Sequence, residues 1–163
     1  MADKNLKLGQ YESLGQHAIG KFFTFGGAKY LFYLKNFKPF CIDKMVVKIN
    51  EDVDKRELEA KSLQWMMEDI VEKSEKVGAK WINDQAKKMK EMADKDDLDG
   101  FWQLHPEFKQ NVDMFILDYY KIFPEAKPSE ESLQEVVRIS CFSKLFLVLS
   151  KISKYFDVFN LSI

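Results

Sequence analysis

Apolar side chains recur at intervals of three and four residues along most of the chain, the spacing of one buried helix face. Tyr11, Leu14, Ala18, Phe22 and Phe25 predict a helix over 11–25. Leu63, Met66, Ile70, Val77, Trp81, Met89 and Met92 predict helix from 54 to about 93, with Asp54 and Glu57 as its N-terminal capping pair. Forty residues of straight helix would measure about 60 Å, too long for one small domain, so a break near Gly78 is expected. Phe108, Val112, Phe115, Tyr119 and Phe123 mark a further helix, with Pro106 in its first turn and Pro124 at its end. Ser129 then caps a last helix running to about Phe159.

The N-terminal third reads two ways. Gly26-Gly27 either ends the first helix or forms the tight turn of a hairpin between "KFFTF" and "AKYLFYL". Pro39 argues against helix through "KNFKPF", and "CIDKMVVKIN" beyond it has the β-branched character of a strand. The expected fold is therefore mainly α, a compact bundle of about four to five helices in a single domain over 1–163. A short β-hairpin within 22–49 is the α+β alternative, and residues 1–10 read as a flexible tail.

Composition sets the class. The chain has 163 residues, 46% apolar and 31% charged, which suits a folded globular domain with a Phe-rich core (14 Phe). Cys41 and Cys141 form neither a disulfide framework nor a zinc spacing and fit a reducing compartment. With a polar start, "MADKNLKLGQ", and no run of about 18 apolar residues, the expectation is a cytoplasmic protein. Charge is uneven. Met1 to Lys48 holds eight lysines against Asp3, Glu12 and Asp43, a balance of +5, so the remainder of this net −1 chain carries −6. A basic, aromatic third of this kind could hold a polyanion.

Catalytic patterns fail one by one. "GQHAIGKFF" places Gly15, Gly20 and Lys21 almost in a P-loop, but Phe22 stands where a Ser or Thr must hold magnesium, and no buried strand precedes it. In "DKDDLDG", Gly100 as the sixth residue of a calcium loop would put Lys95 first and Pro106 twelfth, neither of them a ligand. His17 and His105 lack the Glu or His partners of helical metal sites. A Cys–His pair in space stays open, although both cysteines sit among apolar neighbours. Neither a G-x-S-x-G elbow nor a G-x-G-x-x-G fingerprint occurs. The sequence supports no enzyme, no cofactor and no metal.

Two faces remain as binding surfaces. At about 100° per residue, Trp65 falls opposite the Leu63–Ile70–Trp81 stripe, among Lys61, Glu68, Glu72 and Lys76, with Leu58 one heptad earlier as its large apolar companion. An isolated Trp on a charged face is a candidate anchor for a partner. On the last helix, Lys144, Lys151 and Lys154 form a basic strip opposite Leu145, Leu149, Ile152 and Phe156; this is a core face, with a membrane-surface helix as the weaker reading. The leading expectation is a non-enzymatic adaptor or regulator acting through protein contacts, including self-association as a homodimer. A carrier of a small apolar ligand in a Phe/Met-rich cavity is the second reading. The third is a weak grip on single-stranded nucleic acid, disfavoured because the only two arginines, Arg56 and Arg138, lie outside the basic third.

Overall fold

The computed structural model describes residues 8–128. The chain divides into two units at Glu125–Ala126, and the first of them is a helical bundle. Its elements are α1 (Gly15–Phe25), α2 (Gly27–Phe37), a π-helical segment (Lys38–Val46), α3 (Val47–Asp52), α4 (Ala60–Val77), α5 (Lys80–Asp94) and α6 (Leu98–Ile122). Short 3-10 turns occupy Leu8–Gln10 and Pro124–Ala126. There is no strand among the described residues.

The mainly α reading holds, and the alternative of a hairpin within 22–49 gives way to helix. Gly26 takes φ +79° and separates α1 from α2 as a helix break. From Gly27 the chain stays helical to Asp52, straight through Pro39. Pro39 cannot donate to the carbonyl four residues back, that of Lys35. The Tyr119 hydroxyl donates to that carbonyl instead, at 3.0 Å, and the hydrogen-bond step widens from four to five residues beside it. "CIDKMVVKIN" has strand composition but helical spacing. Cys41, Ile42, Met45, Val46 and Ile49 all reach the core, and burial overrides the weak β preference.

Other boundaries also shift. Asp54 and Glu57 do not cap α4, which opens at Ala60. Asp52, buried at the end of α3, organises the connection: its carboxylate accepts the N–H groups of Glu57 (3.0 Å) and Leu58 (2.9 Å). Asp97, rather than Pro106, starts α6, accepting the Gly100 N–H at 2.9 Å. Pro106 lies inside the helix, because the core stripe begins one turn earlier at Phe101 and Trp102. Within the stretch expected as a flexible tail, Leu8 is buried in its 3-10 turn. The last helix, with Lys144, Lys151 and Lys154, lies outside the described residues.

Gly78 breaks the long helical stretch as anticipated. It sits at φ +72°, and a Cβ there would come within 2.8 Å of the Ala18 backbone nitrogen. α4 and α5 fold onto each other across this turn. Trp81 is consequently 37% exposed rather than core, because the break resets the helical phase. The buried face of α5 runs through Ile82, Ala86, Met89 and Ala93.

Several packed junctions carry a polar link that satisfies a backbone or buried group. Tyr30 donates to the Val77 carbonyl at the end of α4 (3.0 Å), and Asn83 Nδ2 donates to Val71 O (2.8 Å) and Ser74 Oγ (3.0 Å). Gln85 Nε2 donates to Leu104 O and to Glu107. Asp118 accepts both the N–H and the hydroxyl of Ser13. Its carboxyl is buried, which alone would raise its pKa. The bonds from Lys121 and Ser13 outweigh this and hold it below its ordinary value. Among the described residues, no buried side-chain nitrogen or oxygen lacks a partner.

Candidate functional site

The continuous helix over 27–52 and α4 lie side by side, and each turns a ridge outward along the same groove. On the first, Phe32, Asn36, Phe40, Lys44 and Lys48 follow one another every four residues; on α4 the ridge is Trp65, Asp69, Lys73 and Lys76. The floor between them is apolar, built from Phe37, Met45, Met66 and Val77. The groove encloses about 680 Å³.

Its walls carry large apolar side chains in the open. Phe32 is 64% exposed, Phe40 51% and Trp65 65%, three large apolar side chains lining one concavity. Leaving apolar area in water costs about 25 cal/mol per Å², and such clusters mark interaction sites. The π-helical segment supplies Phe40, Lys44 and Met45 to this wall, and π turns inside helices recur at functional positions.

Charge is arranged along the rim. Lys73 pairs with Asp69, and Lys76 with Glu72 at 2.5 Å. The Glu72 carboxyl is lowered chiefly by its bond to Lys76, and Lys76 is raised by the same bond. Lys44 stands with its ammonium 4.8 Å from the centre of the Phe40 ring. Among the described residues, neither Lys44 nor Lys48 has a carboxylate within 4.0 Å.

Of the two partner-binding residues expected on the 54–93 helix, Trp65 lies on this groove and Leu58 does not. Leu58 precedes α4, in the connection folded around Asp52, and packs against the core. The companions of Trp65 come from α2 and the π segment. Their four-residue spacing is visible in the sequence, but only once Pro39 is allowed inside a helix.

The remaining chemical candidates have structural surroundings. Gly20 and Lys21 are interior to α1, and Lys21 pairs with Glu75 at 2.5 Å. Cys41 is fully buried, and burial pushes its thiol up to about 12. His105, also buried, has its Nε2 2.7 Å from Asn50 Oδ1. Among the described residues, no three His, Cys, Asp or Glu side chains converge as a metal site would require, and no helix is long and apolar enough to cross a membrane. In comparison with known proteins, the chain matches no family model, no curated protein and no solved structure.

Proposed function

We propose that the protein is a non-enzymatic adaptor or regulatory module that works by protein contact, receiving a helix of its partner in the groove between the 27–52 helix and α4. The observation that carries this reading is the convergence of exposed Phe32, Phe40 and Trp65 on one apolar-floored concavity. Helix-in-groove recognition uses such a surface, with a few large side chains as anchors, and Trp is enriched among interface residues whose loss is most costly. Met45 and Met66 in the floor suit it further, because unbranched thioether side chains repack around different guests. The carrier reading would use the same groove, but walls that remain half or more exposed leave an apolar ligand largely in water.

The test compares native complexes purified with the wild type, with Phe40→Ala/Trp65→Ala, and with Leu117→Ala, which removes an exposed leucine that does not line the groove. A partner, or a second copy of the chain, retained by wild type and Leu117→Ala is lost by the groove variant. The groove variant keeps a cooperative melt, since truncating an exposed side chain costs far less than the about 3–5 kcal/mol of a buried Trp such as Trp102. Complexes indifferent to Phe40→Ala/Trp65→Ala refute the proposal.

A further inference from the structure

We infer that the segment this groove accepts is an amphipathic helix flanked by acidic residues; the inference rests on the protein-docking reading above. The lining carries four lysines, Lys44, Lys48, Lys73 and Lys76, against one acid, Asp69. Two of the four are already held by carboxylates of α4. Among the described residues Lys44 and Lys48 are not, and both are solvent-exposed one turn apart, Lys44 with its ammonium over the Phe40 ring.

A guest with basic flanks would meet uncompensated like charge along that rim, whereas carboxylates on the guest would complete it. The apolar floor then requires that the same guest carry a hydrophobic stripe, the pattern that helix-in-groove recognition reads. Acid flanks and an apolar stripe together define an acidic amphipathic helix.

The test uses two synthetic peptides of about 18 residues, long enough to hold some helix in water. They share one Leu/Phe face at helical spacing and differ only in their flanks, Glu in one and Lys in the other. Each is labelled and titrated with the full chain by fluorescence anisotropy. The Glu-flanked peptide binds the wild type about tenfold tighter than its Lys-flanked twin at about 0.1 M salt. The preference fades at about 1 M salt, where the screening length falls to about 3 Å. Lys44→Glu/Lys48→Glu reverses the preference, Lys44→Gln/Lys48→Gln abolishes it without added repulsion, and Trp65→Ala weakens both peptides.

Equal affinity for the two peptides, still dependent on Trp65, overturns the acidic specificity and leaves the docking groove standing. Failure of both peptides to bind, or binding indifferent to Trp65→Ala, overturns the two readings together. Trp65-dependent binding of oleate in place of either peptide also overturns both, and makes the groove a carrier site for an anionic amphiphile.

Discussion

Replacing Tyr119 by Phe removes one hydroxyl and nothing else from a side chain that is 3% exposed. The hydroxyl donates to the Lys35 carbonyl at 3.0 Å, the acceptor that Pro39, having no N–H, cannot serve from four residues on. An acceptor stranded in a packed junction costs about 1–3 kcal/mol; Lys35 itself is exposed, so water reaches part of this carbonyl and the lower half of that range applies. A loss of about 1–2 kcal/mol lowers the melting temperature of a chain this size by about 2–8 °C. The decisive version is a double-mutant cycle. In a Pro39→Ala background the new N–H can serve the Lys35 carbonyl, so Tyr119→Phe should cost about 1 kcal/mol less there, read from urea melts of the four proteins. An identical cost in both backgrounds would refute the link between the proline, the π segment and Tyr119.

Two glycines should respond with opposite sign to the same substitution. Gly78→Ala combines a left-handed backbone with a Cβ 2.8 Å from Ala18 N and should cost about 2–4 kcal/mol, whereas Gly20→Ala, with nothing within 4 Å, should gain about 0.4–1 kcal/mol in urea melts. His105 supplies a pH test. Burial first, and Lys109 second, lower its pKa, so the unfolded chain takes up the proton more readily than the folded one. Its contribution is complete above the ordinary value of about 6.5 and declines as pH falls from there toward the depressed folded value. His105→Gln should flatten the stability–pH curve over that window, and an unchanged slope would show that the histidine is not its source.

The helical periods of α4 and α6 were legible because each stripe stays in phase within one uninterrupted helix. Trp65 could therefore be placed opposite Leu63 and Ile70 from sequence alone, and it is exposed on that side. The same reasoning misplaced Trp81 because it carried the phase across Gly78, where the left-handed turn starts the count afresh. Residues 27–52 were the hardest to read. A proline and a β-branched run are both local signals against helix, and what overrides them is tertiary: a hydroxyl from Tyr119, on α6, and a core waiting for Cys41, Ile42, Met45 and Ile49. With that helix unseen, Phe32, Phe40, Lys44 and Lys48 could not be recognised as one ridge, and Leu58 was the nearest companion on offer for Trp65.

The central claim is that the ridges of Phe32–Lys48 and Trp65–Lys76 form one docking surface. Amide and indole resonances of the full chain, followed while the Glu-flanked amphipathic peptide is added, test it most directly. The Trp65 indole N–H and the backbone amides of Phe32, Phe40, Lys44 and Lys48 should shift together along one binding curve, while the Trp81 and Trp102 indoles and the Leu117 amide stay in place. Shifts centred on Trp81 or Leu117, or a groove that does not respond while the peptide binds, would contradict the account.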